Sequence, residues 1–110
     1  MKFSQLKWSV LIALMVFFSV FSGVTDSKPK TTIFFEKTAA GFIKAKIRNE
    51  TAEQLACYIA IDGHKKKFRL SGQMESKWYA ATDKRFTHKN FSTWCDYLEF
   101  YPQYQHYSLG

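Results

Sequence analysis

Apolar and polar residues alternate strictly in one segment of the chain, from Phe42 to Arg48. Ile43, Ala45 and Ile47 take every second position, and cationic side chains stand between them at Lys44, Lys46 and Arg48. A period of two places successive side chains on opposite faces, which is typical of a β-strand with one face in the core and the other in water. We therefore expect a half-buried antiparallel strand here.

Other short runs of β-branched and aromatic residues predict further strands. Thr31 to Phe35 is one such run, and Asp62-Gly63 predicts a hairpin turn between a strand over Cys57 to Ile61 and an alternating segment over Lys66 to Leu70. Ser71-Gly72-Gln73 predicts the next turn. The remaining predicted elements are a strand from Trp78 to Ala81, a polar loop from Thr82 to Thr93, a strand from Trp94 to Tyr101 and a fraying tail from Gln103 to Gly110.

The segment from Asn49 to Ala60 fits both a helical and a strand period. We divide it into a helical turn or two near Glu50 to Leu55, capped by Asn49 or Thr51, followed by the strand from Cys57. The fold class expected from the whole pattern is α+β, with a small antiparallel sheet of five or six short strands and at most one short helix. A six-stranded all-β sandwich is the alternative.

The first residues have the layout of a signal peptide. Lys2 and Lys7 precede or flank an uncharged apolar run from Trp8 to Val24, and polar residues follow it. Because no cluster of Lys or Arg follows the run, we favour cleavage near Ser22 to Thr25 over a retained membrane anchor. The sequence thus predicts a cleaved signal peptide at residues 1–24, a single domain at residues 25–110, and a secreted protein without a membrane anchor.

Composition and charge narrow the class of protein. With 46% hydrophobic and 18% aromatic residues among 110, the chain is too apolar for disorder and too short for a multidomain machine. Without Lys2 and Lys7, fourteen Lys and Arg face nine Asp and Glu, a net charge of about +5. This charge suits nucleic acid, anionic lipid or an acidic partner, and it equally keeps a small exported protein soluble.

Cys57 and Cys95 predict one disulfide, because two cysteines in an exported chain most economically pair with each other. Closing a loop of this size lowers the conformational entropy of the unfolded chain. In the chain-entropy model this destabilises the unfolded state by roughly 4 kcal/mol. The wide spacing does not match a zinc or redox pair, and we expect no cofactor and no metal.

Catalytic chemistry has weak support in the sequence. His64, His88 and His106 fall in a turn, a loop and the tail, with no metal-ligand neighbour at regular spacing. A small ribonuclease would combine a carboxylate, a His and a cation in one cleft. The side chains available for these roles are Glu53 or Glu75, His88, and Arg69 or Arg85. Nothing in their spacing selects one set, so we assign no catalytic residue and expect a protein that is not an enzyme.

Basic residues define a candidate binding surface at the hairpin and in the following loop: Lys65, Lys66, Lys67, Lys84, Arg85 and His88. The hairpin lysines, with Lys44, Lys46, Arg48 and Arg69, could form a basic sheet face for nucleic acid, with bases stacking on Tyr58, Trp78 and Tyr79. The other interpretation is that these cations are the solvated face of amphipathic strands and the aromatic residues are core.

Two further patterns concern modification. Asn49-Glu50-Thr51 and Asn90-Phe91-Ser92 match the N-glycosylation sequence, which makes Asn49 and Asn90 candidate glycan sites. Lys84-Arg85 is a dibasic pair, which we interpret as solvated loop residues rather than as a processing site.

A signal peptide that opens Met1-Lys2-Phe3-Ser4, a small aromatic-rich basic body and one distant Cys pair together resemble the candidate secreted effectors of plant-pathogenic fungi, most of all those of the powdery mildews. The segment Phe91-Ser92-Thr93-Trp94-Cys95 is similar to the terminal aromatic-and-Cys segment of the ribonuclease-like members. The resemblance implies a ribonuclease-like fold without the catalytic set, and for some members recognition by intracellular plant immune receptors. The six-stranded disulfide-linked sandwiches are a second effector class with a suitable strand count.

The function predicted from these observations is that of a secreted, monomeric effector that binds host components, among them a host protein such as a plant immune receptor, and that reaches the inside of the host cell or acts beside it. Nucleic acid is a further candidate partner. The alternatives are an active secreted ribonuclease and a basic antimicrobial or toxin-like protein.

Overall fold

The computed structural model describes residues 28–110, so the predicted signal peptide at residues 1–24 and its cleavage position lie outside the described residues. The described chain contains six strands: β1 (Thr31–Lys37), β2 (Ile43–Asn49), β3 (Leu55–Ile61), β4 (His64–Leu70), β5 (Tyr79–Ala80) and β6 (Phe91–Tyr97). They form two three-stranded antiparallel sheets, with the strand orders β1-β2-β5 and β4-β3-β6.

The helices of residues 28–110 are three short 3-10 helices, at His88–Asn90, Leu98–Phe100 and Pro102–His106. The described chain is therefore mostly β, and the expected α+β class is corrected. In this part of the chain the six strands contain most of the apolar residues, and the segments between them are bends, turns and 3-10 helices.

The alternation that predicted β2 is confirmed. Ala45 and Ile47 are fully buried and Ile43 nearly so, whereas the intervening cations are only half-buried. β2 pairs with β1 along its whole length, from Lys37 opposite Ile43 to Thr31 opposite Asn49. The cationic face of β2 consequently forms the outer face of the first sheet.

Both sheets contribute to one core. Ile47 of the first sheet packs with five buried residues of the second, which are Leu55, Cys57, Ile59, Phe68 and Leu70. The predicted disulfide is confirmed within this core, where Cys57 and Cys95 stand opposite each other on β3 and β6 with Cα atoms 4.1 Å apart. The disulfide therefore joins two neighbouring strands of one sheet.

The connection between β2 and β3 corrects the predicted helical turn near Glu50 to Leu55. The residues after Asn49 form bends, and β3 begins at Leu55. Asn49 is fully buried, and its Oδ1 accepts hydrogen bonds from the backbone N–H of Thr51 at 2.9 Å and from its hydroxyl at 2.7 Å. This side-chain turn offers the backbone an alternative to the helix. The chain can then enter β3 with Leu55, Ala56 and Cys57 all buried.

The predicted hairpin turn between β3 and β4 is confirmed. Asp62 and Gly63 have φ angles of 49° and 85°, as a type I′ turn requires of its two central residues. The turn at Ser71-Gly72-Gln73 is also present, and Gly72 approaches the carbonyl of Ala52 so closely that a Cβ would overlap its oxygen.

Several predicted boundaries after residue 77 are wrong. The strand expected at Trp78 to Ala81 is limited to Tyr79–Ala80, and the loop expected at Thr82 to Thr93 ends in a 3-10 helix and the start of β6. The last strand ends at Tyr97 rather than Tyr101. Phe91 to Thr93 belong to β6 because they continue the register with β3, where Thr93 stands opposite Ile59.

The tail from Gln103 to Gly110 is ordered, contrary to the predicted fraying. Tyr104 is buried at 7% exposure, and the backbone of Arg69 on β4 pairs with Ser108 and Gly110 at 3.0 and 2.9 Å. Gly110 also lies so close to Phe68 that a Cβ would overlap its ring. Pairing to the edge of β4 and packing on the core together hold this segment in place.

Candidate functional site

The C-terminal segment covers the outer face of the second sheet. Residues of β3 alternate between the core and this face, so Ala56 and Tyr58 point away from the disulfide. Leu98 and Tyr104 pack on Ala56 and form a second small cluster of buried residues, with Trp94, Tyr101 and Tyr107 partly buried around it. The fold thereby brings tyrosines that are distant in sequence onto one sheet face.

A groove of about 300 Å³ lies on this face, and we call it the tyrosine groove. Its lining combines five aromatic side chains, two lysines and one amide, and contains no carboxylate. The lining residues are Tyr58, Lys65, Lys67, Trp94, Tyr101, Gln103, Tyr104 and Tyr107.

The aromatic rings of the groove form one continuous set of contacts. Tyr58 and Trp94 stack with centroids 5.6 Å apart and planes inclined by 22°. Trp94 meets Tyr101 edge to face at 4.8 Å, and Tyr104 contacts Tyr107 at 5.1 Å. Such pairs each contribute about 0.5–1.5 kcal/mol beyond the area they bury, so they help to hold the C-terminal segment on the sheet.

The two lysines of the groove extend over aromatic rings. Lys65 Nζ lies 4.8 Å from the centroid of Tyr58, and Lys67 Nζ lies 6.0 Å from that of Tyr107. Both side chains are exposed and project from β4 on the face opposite to Phe68. Arg69, next on this face, donates from Nε to the carbonyl of Tyr107 at 2.7 Å and so ties the C-terminal segment to β4.

The environment of the groove alters the acidity of the Tyr104 hydroxyl. Burial raises the pKa of Tyr104 above its ordinary value, and the neighbouring Tyr107, Tyr58 and Tyr101 raise that pKa further. The Tyr104 hydroxyl therefore keeps its proton at neutral pH and remains a hydrogen-bond donor.

The predicted basic surface is divided by the fold. Lys65 and Lys67 enter the tyrosine groove, whereas Lys66 lies on the other face of β4 in a separate cavity of about 400 Å³ beside His64 and Phe86. Strand alternation separates these three consecutive lysines. The loop members have other neighbours: Lys84 lies over Phe42, Arg85 pairs with Asp83, and His88 packs edge-on against Phe35.

The cations of β2 lie on the outer face of the first sheet and have acidic partners there. Lys46 Nζ is 2.7 Å from Glu75, and Arg48 Nε is 2.5 Å from Glu50. Lys44 and Lys46 both extend over the ring of Trp78, with Nζ 4.6 and 4.7 Å from its centroid. Tyr79, by contrast, stacks on Phe68 in the core at 5.2 Å. Of the three aromatics predicted for base stacking, the groove therefore contains Tyr58 alone.

The side chains considered for a ribonuclease are engaged by different neighbours. Glu75 pairs with Lys46 and Arg48, and these cations lower its pKa, chiefly through the hydrogen bond from Lys46. Arg69 contacts the backbone of Tyr107, and His88 contacts Phe35. Glu53 lines a third surface together with Glu99 and Tyr97. The described residues 28–110 also contain no group of three His, Cys, Asp or Glu that could hold a metal ion.

The two candidate glycan sites differ sharply in environment. Asn49 is fully buried, and its Nδ2 donates to the carbonyls of Glu53 at 2.7 Å and Ser71 at 3.0 Å. Asn90 is half-buried at the end of the 3-10 helix before β6, and its Oδ1 accepts from the N–H of Thr87 at 2.9 Å. A glycan on Asn49 would displace the hydrogen bonds that close the connection to β3, whereas Asn90 keeps its amide nitrogen outside the capping interaction.

Four aromatic residues of the tyrosine groove were not among the predicted site residues. Trp94 and Tyr101 were expected in the last strand, and Tyr104 and Tyr107 in a fraying tail. One signal was present in the sequence: Tyr101, Tyr104 and Tyr107 recur every third residue. In a 3-10 helix residues three apart lie on the same side, and the helix at Pro102–His106 presents this tyrosine row to the sheet.

Residues 28–110 contain no helix long and apolar enough to cross a membrane. Comparison of the chain with protein-family models, with curated proteins and with solved structures found no match.

Proposed function

We propose that this protein is a secreted effector that acts by binding host components through the tyrosine groove, and that a plant immune receptor recognises it. The observation that carries the proposal is the convergence of five aromatic side chains and two lysines in one groove without a carboxylate. They come from β3, β4, β6 and the C-terminal segment, which are far apart in sequence.

Packing alone accounts for only part of this cluster. Ala56, Leu98 and Tyr104 are buried and hold the C-terminal segment on the sheet. The other rings are half-buried, and Lys65 and Lys67 are exposed. Aromatic residues with one apolar side and one polar tip are enriched at binding surfaces because they contribute contact area and hydrogen bonds together.

The architecture favours one of the two effector classes that the sequence resembles. Two three-stranded antiparallel sheets with a shared core and one disulfide support the six-stranded sandwich class rather than the ribonuclease-like class. In this proposal the activity is binding, since the acids, histidines and cations considered for RNA cleavage contact other neighbours.

Expression in plant leaf cells, with and without candidate immune receptors, tests the proposal. We expect the host response to be lost when Lys65 and Lys67 are both replaced by Gln. Lys66→Gln is the matched control, because it removes the same charge from the same strand on the other face. The control should keep the response, as should the variant with His64, His88 and His106 all replaced by Gln.

Three results would contradict the proposal. Equal host responses of the wild type and the Lys65→Gln/Lys67→Gln variant would show that the groove is not the binding surface. RNA cleavage by the wild type that vanishes in the triple His variant would favour the ribonuclease, since removal of a general acid typically lowers the rate by a factor of about 10² to 10⁴. Permeabilisation of membranes at low salt would favour a toxin-like protein.

A further inference from the structure

The charge of the tyrosine groove is not neutralised within the described part of the chain. On the outer face of the first sheet, Lys46 and Arg48 form ion pairs with Glu75 and Glu50. In contrast, the ion pairs found among residues 28–110 involve neither Lys65 nor Lys67, and no acidic side chain lines the groove. An anionic ligand would therefore find partners here without displacing an internal carboxylate.

Every polar side chain of the groove can donate a hydrogen bond. Lys65 and Lys67 supply ammonium groups, the four tyrosines supply hydroxyls and Gln103 supplies an amide. Ammonium groups and hydroxyls are the groups with which proteins commonly contact phosphate oxygens. The donor set is thus suited to a ligand that carries phosphate.

Each cation of the groove lies over an aromatic ring, since Lys65 Nζ is 4.8 Å from the centroid of Tyr58 and Lys67 Nζ is 6.0 Å from that of Tyr107. A single-stranded nucleic acid has the complementary groups, with one phosphate and one planar base in every unit. An acidic peptide supplies anions without regularly spaced rings, and a duplex keeps its bases stacked inside. Binding of single strands by aromatic platforms beside cations is a general mode of recognition.

We infer that the tyrosine groove binds single-stranded nucleic acid, with phosphates at Lys65 and Lys67 and a base against the neighbouring tyrosine rings. This inference names the ligand class of the groove on which the proposed function rests. It does not require cleavage of the ligand.

The number of lysines sets the expected salt dependence. Each phosphate neutralised on a single strand contributes about −0.7 to the slope of log K against log salt concentration, so two contacts give about −1.4. The affinity should then fall by about sevenfold between 50 and 200 mM salt. If only the overall positive charge of the protein held the nucleic acid, the slope would not depend on which lysine is removed.

The first experiment measures fluorescence anisotropy with the secreted protein obtained by expressing the full chain. The probes are a fluorescein-labelled RNA of about twelve nucleotides, the DNA of the same sequence and the corresponding duplexes. We expect both single strands to bind more tightly than the duplexes. Lys65→Gln and Lys67→Gln should each reduce the slope by about 0.7, and Lys66→Gln should leave it unchanged.

Two ring variants test the contribution of stacking. Tyr107→Leu removes a ring, while the hydrogen bond from Arg69 to the backbone carbonyl at this position can remain. Loss of one base–ring contact should weaken binding by a factor of roughly 5 to 160. Tyr107→Phe keeps the ring and loses only the hydroxyl, so it should weaken binding less than Tyr107→Leu does.

Tryptophan fluorescence locates the bound strand. In a Trp78→Phe variant, Trp94 is the only tryptophan of residues 28–110, and it lies in the groove. Titration with the unlabelled single strand should quench its emission in step with the anisotropy change.

The inference is overturned if neither single strand binds at 50 mM salt, if Lys66→Gln weakens binding as much as Lys65→Gln does, or if poly-glutamate competes as well as the single strand. The last result would assign the groove to an acidic protein partner. If the Lys65→Gln/Lys67→Gln variant loses the host response while the wild type binds no nucleic acid, the inference fails and the proposed function stands.

Discussion

Tyr58 and Trp94 face each other across β3 and β6, with their rings stacked 5.6 Å apart in the tyrosine groove. The neighbouring pair in the same register is Cys57 and Cys95, whose disulfide lies on the core face. A slip of one residue would turn every side chain of a strand to the opposite face. The disulfide therefore maintains the register that places the two rings together.

We expect replacement of Cys57 and Cys95 by Ala to lower the free energy of unfolding by about 4 kcal/mol. The disulfide joins cysteines that are 38 positions apart in sequence, and its loss raises the conformational entropy of the unfolded state. Urea unfolding followed by circular dichroism measures the change. A reductant should bring the wild type to the midpoint of the double variant and leave that variant unaffected; an unchanged midpoint in both tests would contradict the prediction.

Ile47→Ala should destabilise the protein by about 2–5 kcal/mol, because Ile47 is fully buried where the two sheets share a core. Lys46→Ala is the control, because it changes the adjacent residue, whose side chain lies on the outer face of β2. It loses an ion pair with Glu75 that is about one-third exposed, so we expect a change of at most about 1 kcal/mol. Thermal melts of both variants provide the measurement. Equal effects would mean that the two faces of β2 are not distinguished by burial.

Asn90, and not Asn49, should carry a glycan when the chain is expressed in a eukaryotic secretory host. The reason is that the Asn49 amide nitrogen is buried against the carbonyls of Glu53 and Ser71 in the folded protein. Mass spectrometry before and after glycosidase treatment gives the occupancy. Asn90→Gln should abolish the mass shift, and a shift that persists in this variant would show that Asn49 is modified.

Asn49→Ala should also lower the free energy of unfolding, by about 1–3 kcal/mol for a buried polar group left without its partner. The groups affected are the N–H of Thr51 and the carbonyls of Glu53 and Ser71. Asn90→Ala at the more accessible site serves as the comparison. Chemical denaturation of the two variants should place Asn49→Ala at the lower midpoint, and the reverse order would contradict the structure.

Asp83 should titrate with a pKa of about 2, below its ordinary value of 3.8, because the Arg85 side chain and backbone donate hydrogen bonds to its carboxylate. A lowered pKa in the folded state means that the interaction stabilises the protein above about pH 4 and is lost as the pH falls towards 2. The carboxyl carbon resonance of Asp83 reports this titration. Arg85→Gln should return the pKa towards 3.8, whereas Lys84→Gln should leave it low.

The sequence already determines the local features of this protein. Alternation of Ile43, Ala45 and Ile47 with cations identified β2 and its buried face, and Asp62-Gly63 identified the hairpin turn. The two cysteines identified their own pairing, because they had no competing partners. The strand and the turn depend on residues close in sequence, and two cysteines have only one possible pairing. The sequence pattern alone is therefore sufficient to predict these features.

The class of the fold and the position of the groove were decided by contacts between distant segments. The connection after Asn49 became a turn because its buried side chain bonds to Thr51, Glu53 and Ser71, and the last of these is brought close only by the fold. The C-terminal tail is ordered because Tyr104 packs on Ala56 and the backbone of Arg69 pairs with Ser108 and Gly110. The three consecutive lysines were equivalent in the sequence, and strand alternation then placed Lys65 and Lys67 with the tyrosines and Lys66 on the opposite face. Burial and strand pairing decide these features. Both depend on contacts between segments that are distant in sequence, which a local sequence pattern does not contain.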